Sequence, residues 1–308
     1  FKKNLNFEVM VYEKEKILSL EEGYGIQLAP NSLSILNKIG LSSIDNKELS
    51  NPSNLNFYSS DNHKICDLNL SRFNSEEFKY TTLKRSVLIE FLKNKLFANN
   101  LKFGKEVKKI SQIKEKLLIN FKDNTNDLVD FIVVSDGVFS NTKSIVENKS
   151  IQPVYNGSIA IRTILKNLPE SNYDKNSISL IMLKNAHIVI YPINKKGELN
   201  VVCIIRQKLS NNIDLKALIK KEIFSQNKNL ENLFENKLEY WPIYTSKKPS
   251  KSIYENLFYI GDAFYTFPPT MAQGASQSIE AANELFNLLS KDNKHTPDLF
   301  FKKRLERT

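Results

Sequence analysis

Short alternating apolar runs and longer runs at helical spacing divide this chain between them. FEVMVYE (Phe7 to Glu13) alternates Val9 and Val11 among aromatics and predicts a buried strand, after a Phe1 to Asn4 stretch that reads as a helix end. PNSLSILNKIGL sets Leu33, Leu36 and Ile39 at helical spacing between a Pro-Asn start and Gly40, which predicts a helix. SVLIEFLKNKLFANN predicts a second helix, with Val87, Leu88, Phe91, Leu92 and Leu96 on one stripe. Strands follow in KEVKKISQI, KLLINFKD and VDFIVVSDG, the last apolar enough to predict a central strand buried on both faces. From Ile151 to Trp241 the runs SIAIRTIL, SISLIML, AHIVIYPI and LNVVCIIR predict a mostly antiparallel sheet, followed by the helical DLKALIKKEIF. A strand, NLFYIGD, then leads into a long helix, GASQSIEAANELFNLLS, with Ile279, Leu285, Leu288 and Leu289 on its apolar face. The predicted architecture is α/β: residues 1–150 and 245–308 form one domain, and 151–244 form an inserted sheet domain.

Composition narrows the function classes. With 308 residues and 41% of them hydrophobic, the chain can bury a sizeable core. No apolar run approaches the roughly 20 residues that cross a bilayer, and no leader pattern opens the sequence. These features predict a soluble, cytoplasmic protein. The net charge of +10 is spread along the chain among Asn and Glu, a general basic bias rather than a nucleic-acid groove. Cys66 and Cys203 lie far apart with no CxxC pattern, and His63, His187 and His295 are too scattered for a metal centre.

Three stretches carry chemistry. Glu13 ends the first predicted strand, where a carboxylate of a doubly wound fold is placed to accept hydrogen bonds from ribose hydroxyls. VVSDGVFS ends a strand in a tight turn in which Asp136 caps backbone amides and Gly137 permits positive φ. GDAFYTFPPTMAQGASQSIEAA (Gly261 to Ala282) runs from a strand end through two glycines and two prolines into a helix. Its small residues let a ligand approach the main chain, and the helix start offers free amides and partial positive charge. A GxGxxG pattern is absent from these 308 residues, in which Gly23 and Gly25 are the only close glycine pair.

In these stretches the chain resembles the FAD-dependent aromatic-hydroxylase-type monooxygenases, the para-hydroxybenzoate and salicylate hydroxylase kind. Their late motif is close to GDAAHPxxPxxAQGAxxAIEDA, and GYGIQLAPNSLSILNKIGL, LKRSVLIEFL, VVSDGVFSNTK, YNGSIAIR and HIVIYPINKKGELN follow other family motifs in order. The resemblance implies a Rossmann-like FAD-binding domain with an inserted substrate-binding sheet, and a sequence lacking the family's N-terminal glycine-rich motif and C-terminal end. It implies FAD contacts from Glu13, Arg85, Val107, Asp136, Gly137, Gly261, Asp262, Gly274 and Ala275. Pro269 would lie beside the isoalloxazine, Gln273 would begin the amides facing the ring, and His187 and Tyr191 would orient or deprotonate a phenol, these four being the implied catalytic positions. Arg162 is a candidate partner for a substrate carboxylate, with a surface or structural arginine as the alternative. The implied reaction takes electrons from NAD(P)H and hydroxylates a small aromatic substrate with dioxygen through a C4a-hydroperoxyflavin. A related flavin reductase and a non-catalytic flavin-binding protein are the alternatives. Phe264, Tyr265, Lys143 and Ala281 depart from the family pattern, and the first two are expected to alter the flavin-side pocket.

Overall fold

The computed structural model describes residues 7–18, 20, 24–75, 77–166, 173–210, 212–269, 272–291 and 296–308. The predicted helix end at Phe1 to Asn4, Gly23 and His295 lie outside the described residues. The chain divides into two units: residues 1–20, 90–154 and 244–308 form the first, and 21–89 and 155–243 the second. The second is therefore larger than the predicted insertion, because segment 21–89 contributes strands to its sheet.

The second unit is built on a seven-stranded sheet in the order Glu239–Thr245, Val154–Leu165, Leu199–Arg206, Ala186–Pro192, Ile178–Met182, Asn54–Tyr58 and Lys64–Asn69. Val154–Leu165, Leu199–Arg206, Ala186–Pro192 and Ile178–Met182 pair antiparallel in turn, and Asn54–Tyr58 joins Ile178–Met182 in parallel. The strands form where the sequence is dense in Ile and Val, whose branched side chains suit a pleated surface. Alternate residues then separate two faces. One face carries Ile159, Ile161, Val201, Cys203, Ile205, Ile188, Ile190 and Ile181, and packs on Ile219, Ile223, Leu230 and Leu233 of the following helical segment. This is the unit's main core. The opposite face carries Arg162, Asn200, His187 and Tyr191. A separate three-stranded antiparallel sheet, Gly25–Leu28, Thr81–Lys84 and Leu49–Ser50, belongs to the same unit. The predicted helix after Gly25–Leu28 forms as Pro30–Lys38, with Pro in its first turn, and Gly40 follows it at φ 89°.

The first unit contains two parallel pairs, Ile132–Val134 with Leu257–Tyr259 and Val11–Tyr12 with Leu101–Lys102, and a three-stranded antiparallel meander of Val107–Ile113, Lys116–Phe121 and Asn126–Val129. FEVMVYE is thus strand only at Val11–Tyr12. The VDFIVVSDG strand is buried on one face, not on both: Ile132 and Val134 enter the core with Leu257 and Tyr259, while Val133 on the other side is 39% exposed. Its neighbour Phe258 is covered by Ala281, Leu285 and Leu288 of helix Gly274–Leu289 and by Phe300 of helix Thr296–Leu305, so the helices shield the second strand of the pair rather than the first. Among the described residues no helix is long and apolar enough to cross a membrane.

Gly261 combines a left-handed backbone with a close approach from the long helix. Its φ is +58°, and a Cβ built on it would lie 2.8 Å from Ser278 Oγ on the long helix. Gly261→Ala is expected to lower unfolding free energy by about 1–3 kcal/mol, combining left-handed strain with a steric clash. Adding Ser278→Ala should recover the steric part only. Urea denaturation of the single and double variants measures this, and an unaltered midpoint for Gly261→Ala would contradict the packing described.

Candidate functional site

In the first unit, two strands 125 residues apart in sequence end side by side, Val134 opposite Tyr259. Each runs into a glycine turn. After Val134 come Ser135, Asp136 and Gly137, with Gly137 at φ 84° as predicted; after Tyr259 come Ile260 and the short 3-10 turn Gly261–Ala263. Asp136 Oδ2 accepts from Thr142 N at 3.1 Å, so it caps the start of helix Asn141–Val146, whose own N-cap Ser140 accepts from Lys143 N at 3.0 Å. That helix carries Lys143 inward, where it is 4% exposed and feels the carboxylates of Asp136, Asp262 and Glu147.

These charges press on one another. Burial holds the Lys143 ammonium below the ordinary lysine range, with the three carboxylates opposing that effect. Burial raises the Asp262 carboxyl, and Lys143 draws it back down. Tyr259 is 2% exposed, its hydroxyl has no hydrogen-bond partner, and burial first, then Glu147 and Asp136, push its ionisation upward. The sequence marked Lys143 only as a departure from a motif; its burial among acids is what gives it weight.

Helix Gly274–Leu289 begins beside the Gly261 turn, through the Gly261 to Ser278 approach. No side chain caps its first turn, Gln273 at its N-cap is exposed, and Ala272 just before it holds φ 51° without being glycine. At Gly274 an added Cβ would meet nothing within 4 Å. Open space therefore lies beside the start of this helix at Gly274. Pro269 is exposed and Ala275 half-buried. Phe264 packs in the core, 5% exposed with its ring 6.0 Å from that of Phe301, and also lines a small cavity with Gly261, Asp262, Tyr265 and Gly274.

Other predicted positions are placed as follows. Glu13 is half-buried past the end of Val11–Tyr12, with its N donating to Lys102 O at 2.9 Å and one carboxylate oxygen accepting from Glu15 N at 2.9 Å. Val107 packs on the core of the first unit. Arg85 is exposed at the start of helix Arg85–Asn94, its N donating to Tyr24 O at 2.8 Å. A cavity of about 350 Å³ lined in part by Phe258, Phe264, Pro297 and Phe301 includes none of the residues implied to contact FAD or substrate.

In the second unit the open sheet face is ordered by register. Ile164, Asn200 and Tyr191 form one row across three strands, Arg162, Val202 and Val189 the next, and Ala160, Ile204 and His187 the third. His187 and Tyr191 thus share a face, as their spacing predicted. Their surroundings differ. His187 is half-buried, and burial lowers its affinity for a proton, favouring the neutral imidazole. Tyr191 is 4% exposed, and burial raises its hydroxyl above the usual range, which favours the protonated phenol. Its hydroxyl is hydrogen-bonded by the Gln27 side chain, whose Oε1 accepts from Tyr80 Oη at 2.7 Å. Burial pushes the Tyr80 hydroxyl up to about 12. No periodicity or motif pointed to Gln27 or Tyr80. Gly25 leaves room for this cluster: an added Cβ would lie 2.7 Å from the Tyr191 ring and 2.6 Å from Ile193. Arg162 Nε and Asn200 Nδ2 are buried donors without a partner, each a deficit of about 1–3 kcal/mol while no acceptor is present.

Known proteins share stretches of this sequence and this fold. The family model described as squalene epoxidase matches residues 129–300, more than half of the chain. The 6-hydroxynicotinate 3-monooxygenase of Bordetella bronchiseptica is 23% identical over 294 residues, covering 90% of this chain and 75% of that protein. The enzyme of the same name from Pseudomonas fluorescens is 24% identical over 315 residues, covering 96% and 80%. The crystal structure of Klebsiella pneumoniae HpxO complexed with FAD and uric acid has the same fold, with a TM-score of 0.83 at 17% identity over 96% of this chain and 78% of that one.

Lys143→Met tests the buried charge cluster. Removing the ammonium takes away the one influence that lowers the Asp262 carboxyl, which should titrate higher still. A carboxyl raised in the folded state favours folding at low pH and loses that contribution as pH rises, and each tenfold change in its ionisation constant is worth about 1.4 kcal/mol. Between about pH 7 and about pH 4 the variant should therefore gain stability relative to the parent. Denaturation midpoints across that range measure this, and a relative loss on acidification would contradict the coupling.

Proposed function

The chain belongs to the squalene epoxidase family, and from that premise we propose that it is an FAD-dependent monooxygenase that uses NAD(P)H and dioxygen to hydroxylate an electron-rich aromatic ring. One observation carries the reading: the helix at Gly274 starts uncapped, with open space where a side chain would stand. Packing within the described protein does not require glycine there. A flat ligand brought against the helix amides does.

The residues present fit FAD. Gly137 and Gly274 leave main chain uncovered, and the Gly274 to Ala275 amides would face a flavin with the positive end of the helix. Asp262 and Asp136, balanced by Lys143, would accept hydrogen bonds from ribityl or ribose hydroxyls, and the free oxygen of Glu13 would do the same for the adenosine ribose. Val107 would contribute as an apolar wall, and Arg85 as an exposed cation for phosphate. When bound, FAD would supply the electron transfer and oxygen chemistry that side chains cannot.

The chain's own part is positioning and proton handling. Neutral His187 would accept a ring hydroxyl's proton, and that ionisation makes an aromatic ring a better nucleophile. Tyr191, locked by Gln27, would donate or accept a hydrogen bond without losing its proton. Pro269 and Gln273 would border the flavin side. The half-buried Val189 and Val202 supply the apolar surface that keeps water from the ring. The relatives' names support a hydroxylated nitrogen heteroaromatic substrate, since two are named for 6-hydroxynicotinate and one is bound to uric acid.

The purified protein should carry a flavin absorption spectrum. NAD(P)H should bleach it, faster in the presence of one hydroxylated aromatic from a panel, with one atom of isotopically labelled dioxygen found in the product. A protein that binds FAD yet is never reduced would end the monooxygenase reading. Gly274→Ala separates the helix's two roles: stability should hold or rise by up to about 1 kcal/mol, because alanine is the better helix former, while flavin affinity falls. Unchanged flavin affinity would remove this helix start from the site.

A further inference from the structure

Arg304 is a buried cation whose shortest bond goes to a neutral residue. It sits in helix Thr296–Leu305, 3% exposed, against helix Gly274–Leu289 of the same unit. Other ion pairs already dock these two helices, Arg307 with Glu280 at 2.9 Å and Lys303 with Glu284 at 3.5 Å. Arg304 Nη2 donates to Gln277 Oε1 at 2.5 Å and to the Gln277 main-chain O at 3.3 Å, while Nη1 stands 3.5 Å from the Glu284 carboxylate. Its Nε is buried without a partner. Burial works against the guanidinium's charge, with Glu284 and Glu280 in support. A buried guanidinium that served docking alone would take the carboxylate within its reach, since a bond between two charged groups is the stronger one.

Gln277 closes the first turn of the long helix, its N donating to Gln273 O at 2.9 Å. The next residue, Ser278, donates its Oγ to Gly274 O at 2.9 Å, and it is the residue that a Cβ at Gly261 would strike. Gln277 and Arg304 line one small cavity with Gly261, Asp262 and Gly274. The turn that begins at Gly274 is thus held from two sides, by Ser278 at the glycine turn and by Arg304 at Gln277. A first helical turn frays readily because its amides lack partners, and glycine loosens it further. A bond to the main-chain oxygen of that turn restrains the backbone itself.

We propose that Arg304 is a positioning residue for the flavin: it clamps Gln277 and so holds the Gly274 turn, with the clearance beside it, in the form that accepts the ring. This rests on the monooxygenase reading for the identity of the ligand. Arg304 supplies no chemistry to the reaction; it removes the ordering of the turn that binding would otherwise require.

The turn and the flavin are read separately. Hydrogen exchange in the full chain before FAD is added should show the Gln277 and Ser278 amides exchanging about tenfold faster in Arg304→Gln than in the parent. Titration with FAD should then show affinity weakened by about two- to thirtyfold. Arg307→Gln removes the pair with Glu280 from the same helix contact and should leave both readouts unchanged. Gln277→Ala keeps the arginine and removes one acceptor, so it should weaken FAD binding in the same direction, and it decides the matter should Arg304→Gln not fold. Unaltered exchange at both amides would overturn the proposal, as would faster exchange with FAD affinity unchanged. So would Arg307→Gln weakening FAD binding as much as Arg304→Gln, since the effect would then be one of general helix docking. A parent protein that takes up no FAD would sink the flavin reading together with the positioning role, whereas a parent that binds FAD no better than its Arg304 and Gln277 variants sinks the positioning role alone.

Discussion

Three residue pairs, Ile132 with Leu257, Val133 with Phe258 and Val134 with Tyr259, join distant parts of the chain into one parallel ladder. Much of the first unit's chemistry follows from that register. Because the two strands end at the same level, the turns after them present Asp136 and Asp262 to a single buried lysine. A slip of one residue would turn Val134 and Tyr259 out of the core and carry the turns apart. The ladder is short, and what secures it is one-sided burial: Ile132, Val134, Leu257 and Tyr259 on one face, and Phe258 beneath two helices on the other.

The second unit solves a different problem with the same period of two. Its strands give every other residue to a closed apolar core, which leaves the intervening residues to form a half-buried face where polar side chains are few and each is placed by the ladder. An Arg, a His, a Tyr and an Asn there are held by backbone register, so their spacing does not depend on flexible loops. The environment then differentiates them. Tyr191 is enclosed and keeps its proton, whereas His187, half-buried, is held neutral.

Elements with strong periodicity were legible in advance: the Ile- and Val-rich strands, helix Pro30–Lys38 with its Gly40 stop, and helix Gly274–Leu289. So was the Gly137 turn, because Asp-Gly after an apolar strand has a local cause. What escaped was set by partners far away in sequence. Nothing local marks Gln27 as the residue between Tyr80 and Tyr191, or tells that 21–89 joins the later sheet. Nothing local tells that Phe264 packs edge to face on Phe301, which lies on a helix 37 residues further along the chain.

The glycines of GDAFYTFPPTMAQGASQSIEAA separate on the same ground. Gly261 is dictated by the protein itself, through a positive φ and the approach of Ser278, so its presence says little about a ligand. Gly274 has neither constraint: it sits at the first turn of a helix, where glycine is a poor choice, with nothing within 4 Å of a would-be Cβ. A residue type that weakens a helix and relieves no contact in the described protein is not explained by the fold. Arg162, with its Nε buried and without a partner among the described residues, carries a comparable cost. Gly274 and Arg162 thus stand apart from Gly261 by what the fold fails to explain about them.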